Sequence, residues 1–238
     1  MGIIKAFTKW AFANDYLTSD PFAGIQVNAH AVTASKLRKE AWTEKEIGTI
    51  LGAVWPLRHS PDPREREWCW YLLSLVGSGC RASEILNRDV TDIRQEGASW
   101  LWDINSAHDK FVKNVFSIRK VPIPKAVLDV GYMEFVKSCS REGKLFPRLV
   151  KFGVGSISLK FARLTKGLNL YTKTKTLHSI RAYHAVSMEL AGVHPSLARS
   201  IAGHQVAGDV HGVYLHSLKF PMDRMQAAVD LVPMPLPV

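Results

Sequence analysis

From Trp68 to Val76 the chain runs Trp-Cys-Trp-Tyr-Leu-Leu-Ser-Leu-Val without a charge. Asp62-Pro63 just upstream is a helix start, with proline at the first helical position, and Gly77-Ser-Gly79 is a stop. A helix that is apolar on every side has no face to offer water. This one must therefore be a centre about which other elements pack. No apolar run reaches about 18 residues, the length at which a segment begins to read as a membrane span, so the surroundings are protein. At 238 residues the chain can build one large domain, or one domain plus a fragment.

The flanking patterns supply the partners. Thr43-Glu-Lys-Glu46 is a capping box that opens a helix through Ile47, Ile50 and Leu51. Further helices are expected over 82–86, 125–139, 156–168, 177–191, 195–202 and 221–231. Three short strands are expected over 89–93, 100–104 and 116–121, the last ended by Pro122 and Pro124. The fold class is α+β, mostly helical, with a small antiparallel β-sheet. The last helix carries an apolar stripe of Met222, Met225, Ala228, Val229 and Leu231, expected to be covered either by the chain's own core or, the favoured reading, by a neighbouring protomer. Residues 3–16 read as one more helix, too apolar with Ile3, Phe7, Trp10 and Phe12 to be a free tail, so these side chains should be exposed or meet a neighbour. The expected organisation is 1–24 as the remnant of another domain, 25–40 as a polar linker, and 41–238 as a compact domain with a C-terminal helix and tail.

Lys+Arg number 31 against 21 Asp+Glu, a net charge of +10 that favours a polyanionic partner such as nucleic acid. The distribution sharpens this: between Glu142 and Glu189 no acidic residue interrupts 46 positions that hold Lys160, Arg163, Lys166, Lys173 and Lys175. The cysteines, Cys69, Cys80 and Cys139, are odd in number and lack metal-ligand spacing, which reads as reduced thiols in a cytoplasmic protein. The N-terminus lacks the plan of a signal peptide.

Chemistry concentrates in two places. Arg81 follows a glycine-rich turn and precedes a short helix, where a guanidinium can clamp phosphate oxygens with Glu84 holding it; the plain alternative is a structural Arg–Glu pair. His178 and Arg181 lie three apart and so project from one face of a helix, in first turns that favour an anion. Gly203-His204 and Tyr214 follow within 37 residues of His178. The anion expected here is a phosphodiester, with Tyr214 attacking it. His184 shares the His178 helix and reads as a core histidine. His204, His211 and His216 fit no standard zinc spacing, and no metal or other cofactor is expected.

Taken in order, Gly79-x-Arg81-x-x-Glu84-Ile-Leu-x-x-x-Asp89-Val, His178-x-x-Arg181, Gly203-His204 and Tyr214-x-His216 resemble the boxes of the tyrosine recombinases, the phage integrase family. The resemblance covers residues 41–231, and the N-terminal helix with Phe22-Ala-Gly-Ile resembles the end of that family's core-binding domain, so the chain is expected to be a fragment. It implies a catalytic lysine on a hairpin ahead of Arg119-Lys-Val-Pro122; Lys113 is the expected residue and Lys110 its competitor.

The resemblance further implies that Arg81, Lys113, His178, Arg181, His204 and Tyr214 are catalytic. Tyr214 would form a 3′-phosphotyrosyl bond, and neither ATP nor a metal would be needed. Lys110, Arg119, Lys166, Lys173 and Lys175 are the expected DNA contacts. The implied partners are a double-stranded attachment site and other copies of the chain, as a tetramer on DNA, in the cytoplasm of a bacterial cell or phage-infected host. The alternatives are a type IB topoisomerase-like enzyme and a non-catalytic DNA-binding fragment.

Overall fold

A computed structural model describes residues 2–25, 39–107, 110, 117–203 and 220–237. The chain divides into two compact units, 1–38 and 39–238. In the first, α1 spans Gly2–Ala13. It stops short of Tyr16 because Asn14 Nδ2 donates back to the Trp10 carbonyl at 2.9 Å and Asp15 turns left-handed at φ 61°. Ile3, Phe7, Trp10 and Phe12 are all exposed, Ile3 at 87%. Trp10 stacks between Phe7 and Tyr16, with ring centroids 6.2 and 5.5 Å away. Most of the expected linker, residues 26–38, lies outside the described residues.

The second unit forms around the apolar run. The capping box of α2 (Glu44–Val54) is present: Thr43 Oγ1 accepts the Glu46 N–H at 3.3 Å, and Glu46 Oε2 accepts the Thr43 N–H at 2.8 Å. α3 (Pro63–Ser78) starts on Asp62, whose carboxylate accepts the Arg64 N–H at 2.8 Å, and is buried without interruption from Glu67 to Ser78. A short α4 (Ala82–Leu86) follows. The sheet is antiparallel in the order β1 (Ile93–Glu96), β2 (Ser99–Ile104), β3 (Arg119–Pro122), with Trp102 opposite both Ile93 and Val121. Trp102 Nε1 and Ser74 Oγ both donate to the Tyr132 hydroxyl, at 2.9 and 3.1 Å, tying sheet to central helix.

The rest is α5 (Lys125–Asp129), α6 (Tyr132–Ser138), α7 (Pro147–Val150), α8 (Gly153–Gly167), α9 (Ser179–Leu190), α10 (Pro195–Ala202) and α11 (Met222–Asp230). Two expectations are corrected. The helix expected over 125–139 is two helices, because Gly131 takes φ 91° between them. The first strand starts at Ile93, since 90–92 form a 3₁₀ turn in which Asp92 accepts the Asp89 N–H at 2.8 Å. Of the stripe on α11, Met225, Ala228 and Val229 are buried against the chain itself, while Leu231 is 53% exposed; beyond the helix, the Tyr183 hydroxyl donates to the Pro233 carbonyl at 2.8 Å.

Beneath the β2 end lies an ionic cluster. Arg88 is 0% exposed and donates to the carbonyls of Glu84, Asp103 and Asn105, with Asp92 3.5 Å away. Lys110 sits 2.8 Å from Asp89 and 2.6 Å from Asp92. Burial works against the charge on Asp89, but Lys110 and Lys144 hold its carboxyl down to about 2. Removing one member of such a buried network strands the others. Arg88→Met should therefore cost about 3–5 kcal/mol in urea unfolding; a cost no larger than a surface substitution would show that the cluster is dispensable.

Candidate active site

Arg81 is placed by the end of the central helix. Gly79 takes φ 58° and its N–H returns to the Leu75 carbonyl at 3.1 Å, which turns the chain sharply into α4. Arg81 then stands at the α4 N-cap, its own N–H donating to Glu84 Oε2 at 2.9 Å and its Nη1 to Glu84 Oε1 at 2.6 Å. Nη1 also donates to Ser117 Oγ at 3.2 Å, and Nη2 to the Gly203 carbonyl at 3.3 Å. The side chain keeps 22% of its surface exposed, so it remains open to a ligand.

Arg181 approaches the same turn from α9. It is 5% exposed, and its Nη1 donates to the Gly79 carbonyl at 3.0 Å. Among the described residues, Nη2 is buried with no hydrogen-bond partner. Burial, then the charges of Arg119 and Arg81, lower its pKa to about 10, so it stays charged at neutral pH. A buried cationic donor without an acceptor is costly and suits an anion that supplies one. The site thus joins residues 100 apart in sequence on one glycine turn.

His184, one turn further along α9, supports that turn from below. It is fully buried, and its Nε2 lies 3.2 Å from the Gly77 carbonyl. Its ring would be 2.5 Å from a Cβ on Gly79, so only glycine fits there. Burial, with the charges of Arg181 and Arg119, lowers its pKa to about 4. His184 is thus a core histidine.

The remaining sequence candidates fall into three groups. His178 is exposed at the N-cap of α9. Lys113, His204 and Tyr214 lie outside the described residues, although Gly203, next to His204, holds Arg81. Of the expected DNA contacts, Lys173 is exposed, Lys166 is exposed with its Nζ 4.8 Å from the Tyr171 ring, and Lys175 pairs with Glu46 at 2.7 Å. Lys110 and Arg119 differ from expectation: both are turned inward. Lys110 is 1% exposed between two carboxylates, and Arg119 is 7% exposed against Glu84, so neither offers its charge to a surface ligand.

No protein-family model matches the sequence, and no curated protein matches it. Solved structures do. The chain is similar to an integrase from a mycobacterium phage, Brujita, at 13% identity over 100% of this chain and 72% of that chain, with a TM-score of 0.53. It is similar to the integrase of transposon Tn1549 in complex with circular intermediate DNA, at 18% identity over 94% and 74%, TM-score 0.52. A lambda integrase dimer bound to a core site matches at 17% identity over 90% and 57%, TM-score 0.50. The fold is that of the tyrosine-recombinase catalytic domain.

Within this tyrosine-recombinase fold, the inward placement of Arg119 had a signal in the sequence. Residues two apart on a strand face the same way, so a core-facing Val121 turns Arg119 inward too. Lys110 had no such periodic neighbour. His184 yields a pH test. Its folded pKa lies below the ordinary value of about 6.5, so the unfolded chain binds the proton more tightly. Its contribution is complete above pH ~6.5 and is lost as pH falls toward ~4, amounting to about 3 kcal/mol. His184→Gln should flatten unfolding free energy between those values; an unchanged slope would place the titration elsewhere.

Proposed function

We propose that this chain is a site-specific DNA recombinase of the tyrosine recombinase family, which cleaves and rejoins strands through a 3′-phosphotyrosyl intermediate. The observation that carries this reading is the buried Arg181 guanidinium, its Nη2 without an acceptor among the described residues, beside Arg81 on the Gly79 turn. Two fixed guanidiniums of this kind match the nonbridging oxygens of a phosphodiester. A net charge of +10 and the exposed Lys160, Arg163, Lys166 and Lys173 suit a DNA backbone next to them. The Tn1549 and lambda integrases, which share this fold and were solved bound to DNA, point the same way.

In the proposed reaction Tyr214 Oη attacks phosphorus, forming the phosphotyrosyl bond as the bond to the 5′-oxygen breaks. His178 accepts the tyrosine proton, and Lys113 returns a proton to the departing 5′-oxygen. Arg81 and Arg181 stabilise the charge that builds on the nonbridging oxygens, and His204 adds a hydrogen bond. The covalent bond keeps the phosphodiester energy, so the scheme draws on neither ATP nor a metal. Rejoining is the same step reversed by a 5′-hydroxyl from another strand. The partners of this reading are a double-stranded attachment site, held also by Lys175, and further copies of the chain as a tetramer. It puts the protein in the cytoplasm of a bacterial or phage-infected cell.

Two variants separate chemistry from binding, measured on a nicked duplex made from the DNA flanking the gene. Tyr214→Phe removes one oxygen, so the covalent adduct on a denaturing gel should disappear while affinity stays unchanged. Lys173→Ala should do the reverse, lowering the salt slope of binding by about one and leaving cleavage recoverable at high protein concentration. An adduct that persists in Tyr214→Phe assigns the nucleophile to another residue and removes this mechanism.

A further inference from the structure

We infer that Arg119 is a positioning residue: it holds the Arg81 guanidinium in place through Glu84 and the turn at Gly203, and does not itself contact DNA. This rests on the reading of Arg81 as a phosphate-binding group. The Arg119 side chain is 7% exposed. Its Nε donates to the Ile201 carbonyl at 2.7 Å, Nη1 to the Ser117 carbonyl at 2.7 Å, and Nη2 to Glu84 Oε2 at 2.9 Å and Cys80 Sγ at 3.1 Å. Four of its five N–H donors are thus committed inside the protein.

Each of three partners leads back to Arg81. Glu84 accepts both the Nη1 and the main-chain N–H of Arg81, at 2.6 and 2.9 Å. Ser117, whose carbonyl takes Arg119, offers its Oγ to Arg81 at 3.2 Å. Gly203, two residues beyond Ile201, accepts Arg81 Nη2 at 3.3 Å. The two arginines therefore share one closed circuit of hydrogen bonds across α4, the start of β3 and the end of α10. A separate observation marks how tightly the circuit is drawn. A Cβ on Gly203 would lie 2.7 Å from Arg119 Nη1 and 2.8 Å from Cζ, at a φ of 66°. The guanidinium occupies the space a side chain at 203 would need, so the glycine and the arginine define one contact.

The test uses the full chain, with arginine Nε labelled for NMR, inorganic phosphate as anion probe, and a duplex of arbitrary sequence as DNA probe. In Arg119→Lys, the Arg81 Nε–H should lose its order in the free protein while Arg88 and Arg181 keep theirs, which general loosening would not produce. Phosphate affinity should fall about tenfold, the scale of one charge-assisted hydrogen bond, with the salt slope of duplex binding unchanged. In Arg119→Met, which removes the charge, a salt slope lowered by about one with Arg81 still ordered would make Arg119 a DNA contact and overturn the inference. Should Arg119→Lys fail to fold, Gly203→Ala presses on the guanidinium while leaving every charge in place. It should loosen the same Arg81 signal, and an Arg81 as ordered as in the wild type would overturn the inference. Phosphate that moves neither Arg81 nor Arg181 in the wild type would remove the phosphodiester reading, while the tether would still be decided by Arg81 in the free protein.

Discussion

One carboxylate makes the site physically possible. Arg81, Arg119 and Arg181 crowd close enough that the first two depress the proton affinity of the third. Like charges brought together with little water repel strongly unless something compensates them. Glu84, 3% exposed, is that compensation, taking Arg81 on one oxygen and Arg119 on the other. Burial alone would raise its proton affinity, but the two guanidiniums hold its carboxyl below the ordinary value. Three cations against one anion leave a surplus of positive charge. The cluster is therefore neutralised enough to fold and charged enough to draw an anion.

Everything larger serves to bring these four side chains to one point. The apolar α3 ends beside them because Gly79 turns left-handed, and α9 lies against it, so Arg181 reaches the Gly79 carbonyl. The sheet supplies Arg119 from β3, and α10 ends at Gly203. A scaffold of this kind fixes donors before a ligand arrives, so little reorganisation is needed when charge develops.

How far the sequence could disclose this depended on whether a residue's role was local. The central helix, the Thr43–Glu46 capping box and the glycine stop were legible because each is set by neighbours within a few positions. That Arg81 and Arg181 meet at one turn was anticipated from the resemblance of their boxes, in order, to those of a known family. The split at Gly131 was missed because a lone glycine inside an apolar pattern is often tolerated in a helix. The late start of β1 was missed because the apolar alternation does not report the 3₁₀ turn in which Asp92 accepts the Asp89 N–H. Arg119 and Lys110 were read as surface cations since lysine and arginine seldom lie buried. They are inside because carboxylates from other segments meet them there.

The packing of His184 against Gly79 has a consequence for how such a sequence can drift. The imidazole stands where a methyl group at position 79 would be, and its Nε2 addresses the carbonyl two residues earlier. Any side chain at 79 evicts the ring, and any smaller residue at 184 leaves a hole beneath the turn that carries Arg81. Neither position can change first without harm. The two therefore form a lock with one key: among relatives that keep this turn, glycine at 79 and a ring at 184 should be inherited together or replaced together.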